Sequence, residues 1–223
     1  MLQHNIFRTR ACVVTAPTFE DNAVASLSAT GAALSSSAGI LASVRDDACS
    51  LAVWQRNRPD DWSGMLRGDP RDIHFSASRA DLAPRFVAAL ASHGFGGKHL
   101  HRALADDVDL LAGKFCSVMG IAQLDLRLAV VSTDSCRKFH ADYVIARLIT
   151  SYVGPGPQWL TRRDAERIRR GAEPLRINQL DTGDVSIFKG RLATDHPAIH
   201  RSPPIASANG PRLLLVLNRV DRP

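Results

Sequence analysis

The chain contains no apolar run approaching the ~18–20 consecutive residues that a membrane-spanning helix requires. Cysteine is scarce: Cys12, Cys49, Cys116 and Cys136 stand far apart and form no CxxC pair. That spacing excludes a disulfide scaffold and argues against a structural zinc ribbon; it fits a reducing, cytoplasmic setting with no membrane partner. Several catalytic signatures are also missing. There is no GxSxG elbow and no HExxH helix, and Gly94-Phe95-Gly96-Gly97-Lys98 lacks both the spacing of a phosphate-binding loop and a preceding strand. No internal repeat of 20–50 residues is found.

What remains is an ordinary globular composition. The 223 residues, 45% hydrophobic and 22% charged, suffice for one large domain or two small ones. The net charge of +6 permits an anionic partner without demanding one. Much of that charge is local, at Arg162, Arg163, Arg167, Arg169 and Arg170. Glu166 lies four residues from both Arg162 and Arg170, the spacing of a solvated helix face; an anion- or nucleic-acid-binding patch is the other reading.

Three regions emerge. Residues 1–45 are poorly specified, with an Ala/Ser/Gly-rich stretch from Asn22 to Val44 and no compact apolar core behind Arg8 and Arg10 that would make a signal peptide. Residues 46–120 read as mostly helical. Leu51–Trp54 is a short extended piece. One helix is capped by Asp81, tolerates Pro84 in its first turn and stops at Gly94; a second runs from about His101 to Met119 and closes at Gly120. Residues 121–223 are mostly β. Leu124, Leu126 and Leu128 alternate with Asp125 and Arg127, and further strands are expected at Tyr143–Val153, Val185–Phe188 and Leu213–Leu217. A short helix with Thr161 as cap and Gly171 as stop interrupts them. Helices packed on a β half make an α+β fold.

The chemistry is concentrated in the β region. In His140-Ala141-Asp142, an extended backbone turns the imidazole and the carboxylate to the same side. His200 follows 60 residues later, ahead of a Ser-Pro-Pro turn, and Arg212 opens an apolar strand 12 residues beyond it. Two His and one carboxylate on one side of a metal leave three positions open, which suits non-haem Fe(II). A keto acid bound to such iron needs a cation for its far carboxylate, and Arg supplies a bidentate partner. His196 competes with His200 for the distal position, but Pro197 disrupts strand geometry beside it. Cys136 shares extended-chain parity with His140 and Asp142, and a thiolate there would favour zinc.

The order His-x-Asp, a Gly-Asp-led strand (Gly183–Phe188), Ile199-His200 and Arg212–Leu217 resembles the Fe(II)- and 2-oxoglutarate-dependent dioxygenases. The resemblance implies a double-stranded β-helix, the cupin-like jelly roll, with Fe(II) on His140, Asp142 and His200 and 2-oxoglutarate on Arg212. Many members carry Ser or Thr two residues after that Arg; here the position is Leu214, so a hydroxyl partner is expected from Tyr152 or Thr150. Leu51–Arg56, Cys136–Asp142 and Arg147–Gly156 further resemble a bacterial family, domain of unknown function 1826, over about residues 46–220. The leading expectation is thus a dioxygenase acting on a small-molecule or protein substrate. The alternative is a non-catalytic zinc protein of metal homeostasis on the same fold.

Overall fold

The computed structural model describes residues 29–56, 60–133, 136–204 and 210–220. The first strand, β1 (Ala32–Ser35), lies inside the stretch expected to be loosely specified, and a 3₁₀ turn over Ala38–Arg45 follows it. Its period is hard to read because Ala and Ser dominate, yet Leu41 and Val44 are fully buried and anchor the segment. Residues 1–28 lie outside the described residues.

Residues 46–120 hold two strands as well as helices: β2 (Leu51–Trp54) and β3 (Ile73–Ser78). The helix α1 (Arg79–Ser92) begins two residues before the expected cap. Ser78 occupies the cap position and its hydroxyl donates to the Asp81 carboxylate at 2.6 Å, so Asp81 serves in the first turn and Pro84 falls in the second. Helix α2 (His101–Met119) has the expected bounds. Gly120 ends it in the left-handed conformation that a side chain would disfavour.

The β region comprises β4 (Gln123–Val131), β5 (Ala146–Val153), β6 (Gln158–Trp159), the helix α3 (Arg162–Arg169), β7 (Asn178–Gln179), β8 (Val185–Lys189), β9 (His200–Arg201) and β10 (Arg212–Arg219). In α3 the Thr161 hydroxyl accepts from the Asp164 N–H, as the sequence implies. Two sheets result. A seven-stranded sheet has the order β1-β2-β8-β5-β10-β4-β3, antiparallel except for the β1–β2 pair. A small sheet has the order β7-β6-β9. The large sheet therefore draws three strands from before residue 121 and four from after it.

Each side of the large sheet has its own core. Leu213, Leu215 and Leu217 of β10 join Leu124, Leu126, Leu128 and Leu148 beneath α1 and α2, against Phe86, Leu104, Leu111 and Phe115. Burying side chains of this size contributes roughly 1.5–3 kcal/mol each. The intervening Leu214 and Val216 face the other way, onto Ile149, Phe188, Trp159, Leu180 and Ala198, which fill the space toward the small sheet. That second space holds the candidate site. No helix among the described residues is long and apolar enough to cross a membrane.

Candidate metal centre

The segment expected to begin a strand at Tyr143 is held differently. Arg191 N–H donates to Asp142 O, Leu192 N–H to Val144 O and Gly190 N–H to Ile145 O, so regular pairing of β5 starts only at Ala146. Gly190 permits this clamp. A Cβ there would stand 2.1 Å from Val144 O and 2.9 Å from Asp142 O, far inside contact distance. On the other flank, His140 and His200 exchange backbone hydrogen bonds at 2.9 Å in both directions, extending the small sheet by one bridge. Backbone pairing thus brings together residues 60 positions apart.

The result is one cluster. Ligand atoms of His140, Asp142 and His200 all lie within 4.8 Å of one another. His140 Nε2 is 3.7 Å from Asp142 Oδ1, and His200 Nε2 is 3.3 Å from Oδ2. Both Nδ1 atoms face backbone carbonyls, that of Lys138 at 2.9 Å and that of Ala198 at 3.1 Å. With Nδ1 protonated toward those carbonyls, each Nε2 presents its lone pair to the shared space. The Phe188 ring, 4.5 Å from the His200 ring, supports it from the large sheet.

The residue that completes this geometry is Arg147 on β5. Its Nη1 lies 3.0 Å from Asp142 Oδ1, and its Nε donates to Asn218 on β10 at 3.1 Å. Oδ2 of Asp142 is left buried without a hydrogen bond. Burial works against ionisation of Asp142, but His140, His200 and Arg147 outweigh it and hold the carboxyl well below the usual range. The same contact raises the His140 pKa, since Asp142 favours its charged form more than burial disfavours it. A buried carboxylate oxygen with no hydrogen-bond partner, beside two imidazole Nε2 atoms, is an arrangement a divalent cation satisfies; the three side chains fit a metal.

Arg212 is buried, 1% exposed. It stands on the face of β10 shared with Leu214, Val216 and Asn218, so it enters the space between the sheets. Its Nε donates to Pro155 O at 2.8 Å, its Nη2 lies 3.5 Å from Ser151 Oγ, and its Nη1 is buried without a partner. Burial lowers its pKa, and no carboxylate among the described residues pairs with it. Gly154, at φ +75°, makes room: a Cβ there would meet Arg212 Cγ at 2.7 Å.

Four other candidates fall elsewhere. The register slips between Leu213 and Leu214, so that they pair with Val153 and Ser151 and Tyr152 becomes the extra residue of a bulge. Tyr152 faces the helices, in alternation with Leu148 and Thr150, and its hydroxyl donates to Asp107 of α2 at 2.6 Å. Thr150 pairs across from Leu215 on that same helix-facing side. The hydroxyl beside Arg212 is that of Ser151. Cys136 is exposed and its φ of +58° breaks the extended parity on which its ligand reading rested. His196 is exposed and outside the cluster. The alternation Arg147, Ile149, Ser151 along β5 was the available signal for the residues that sequence reasoning missed; which of the two alternating faces meets the small sheet is set by packing and leaves no mark in β5 itself.

Among solved structures, the chain is similar to the rice dioxygenase for auxin oxidation, at 17% identity over 84% of this chain and 81% of that one, with a TM-score of 0.40. It is also similar to a bsmA homolog from Methylobium petroleophilum PM1, at 14% identity over 81% and 91% with a TM-score of 0.43. A third is AviO1 from Streptomyces viridochromogenes, at 13% identity over 94% and 99% with a TM-score of 0.35. No curated protein matches the chain. The family model described as protein of unknown function (DUF1826) matches residues 35–218, and the chain belongs to that family.

Proposed function

We propose that the protein is an Fe(II)- and 2-oxoglutarate-dependent dioxygenase. The observation that carries this reading is that two features lie on the same side of the large sheet: three converging ligand side chains, and a buried Arg212 whose Nη1 has no partner. A metal carrier has use for the first alone. An isolated buried guanidinium is costly, and an anionic ligand would offset that cost.

The two sheets are read as the halves of a double-stranded β-helix. Strands β4, β10, β5 and β8 are neighbours in one; the His140 bridge, β9, β6 and β7 are neighbours in the other. Successive chain segments from β4 to β10 fill the two sets as that fold would require.

His140, Asp142 and His200 would hold the metal, with Arg147 fixing which Asp142 oxygen faces it. When bound, Fe(II) and 2-oxoglutarate supply oxidative decarboxylation chemistry that hydroxylates a substrate. Arg212 would take the distal carboxylate of the co-substrate, with the Ser151 hydroxyl beside it, replacing Tyr152 and Thr150 in that role. Ile149, Phe188, Leu214 and Val216 give that side of the large sheet an apolar surface, which would keep water from a ligand held against it. The three ligands alone would equally suit zinc; Arg212 favours the enzyme. Anaerobic binding of 2-oxoglutarate to the Fe(II)-loaded protein, compared between wild type and Arg212→Leu, tests the reading. Retained metal binding with lost 2-oxoglutarate binding supports it.

A further inference from the structure

A second cavity lies beside α3, and none of His140, Asp142 or His200 lines it. Its volume is about 380 Å³, within the range of small-molecule sites. The walls are mostly apolar, with Ala32 and Leu51 from the large sheet, Leu160 and Ala165 on the α3 side, and Ile199. The polar part holds Thr30, Ser50 and His196 and is otherwise mostly cationic. Arg162, Arg163 and Arg169 line the cavity with a single carboxylate, Glu166.

That carboxylate is already engaged. Glu166 Oε2 is 2.6 Å from Arg169 Nη1 and its Oε1 is 3.0 Å from Arg170 Nε. Arg162 donates through Nη2 to the Ala48 carbonyl at 3.1 Å, while its Nε is buried without a partner. Arg163 is exposed and forms no ion pair among the described residues. Two guanidinium groups at one cavity therefore lack a carboxylate, over a floor that would rather be dry. Gly31, at φ +70°, lines the cavity beside Arg162.

We propose that this cavity is a binding site for a small carboxylate with an apolar body, the body on Leu51, Leu160 and Ile199 and the carboxylate on Arg162 and Arg163. A carboxylate is the anion whose two oxygens match a guanidinium fork. The apolar wall selects against small inorganic anions, which would gain only the exposed part of the charge interaction. The site is independent of the metal reading and needs no metal to be tested.

The experiment uses the full-length, metal-free protein near neutral pH and follows backbone amide shifts during titration with octanoate, octanol and acetate. Octanoate is expected to bind at least about tenfold more tightly than either control, moving the amides of Leu51, Ala165 and Ile199. Arg163→Gln, an exposed change that leaves the fold alone, is expected to weaken octanoate several-fold and leave octanol unchanged. Ala165→Leu, which narrows the cavity without altering charge, is expected to weaken octanoate too. The proposal is overturned if octanol matches octanoate, if acetate matches it, if the shifts fall elsewhere, or if octanoate fails to bind.

Discussion

The Arg147 guanidinium lies 3.0 Å from one carboxylate oxygen of Asp142 and leaves the other buried, unbonded and 3.3 Å from His200 Nε2. Arg147 is itself held by Asn218 across the strand pair. Its role is therefore orientation, so Arg147→Met should weaken divalent metal binding roughly 10-fold or more, the usual cost of losing an outer partner of a ligand. Calorimetric titration of the metal-free variant checks this. An unchanged affinity would show that the Asp142 rotamer is set by its backbone clamp alone.

Gly190 gives a second handle on the same carboxylate. Its missing side chain lets the 190–192 backbone bind the segment carrying Asp142. Gly190→Ala should displace that segment, lowering metal affinity and destabilising the fold by about 1–3 kcal/mol, the cost of overpacking. Chemical denaturation together with metal titration measures both; a fully stable variant with normal affinity would contradict the close approach.

The pH dependence of the metal-free protein follows from two opposed shifts. Asp142 is depressed, so its contribution is present above the unfolded carboxylate value near 3.8 and lost as pH falls through the folded value. His140 is raised, so its contribution is present below about 6.5 and lost as pH rises through the folded value. Both operate between those limits. His140→Gln should therefore cost more stability at pH 5 than at pH 8.5 in urea unfolding. Metal binding reverses the preference, because it needs the neutral imidazole, and metal affinity should fall as pH drops. A larger stability cost at pH 8.5 would break the assigned pairing.

Arg212 separates a ligand-binding residue from a structural one. With only a carbonyl and a hydroxyl near it, its burial is a net cost in the free protein. Arg212→Met should leave stability unchanged or raise it by about 1–2 kcal/mol, as replacing buried charge with an apolar side chain commonly does. A loss of several kcal/mol in thermal unfolding would assign Arg212 to the framework instead.

The parts of this molecule legible in the sequence are those set by local period and local chemistry. Helix α2 declares itself through Leu104, Val108, Leu111 and Phe115 and its Gly120 stop, and β4 through the alternation at Leu124–Leu128. The order of His140, Asp142, His200 and Arg212 was visible because those residue types are rare together. Strand β1 was not, since Ala32 and Ala33 carry no contrast between faces. Ser151 was passed over and Tyr152 preferred because alternation sorts the side chains of β5 into two faces without saying which one meets the small sheet. Gly190 was invisible for a different reason: its role is space, set by a backbone 46–48 positions earlier in the chain.

The central claim is that the His140–Asp142–His200 cluster and Arg212 together take Fe(II) and 2-oxoglutarate. The most direct measurement is an anaerobic titration of the full-length protein, watching for the visible metal-to-ligand charge-transfer band of the ternary complex. The band should appear only when Fe(II) and 2-oxoglutarate are both present, vanish in Asp142→Ala, and vanish in Arg212→Leu while that variant still binds the metal. Tight metal binding with no band in the wild type, or a band that survives Arg212→Leu undiminished, would contradict the account.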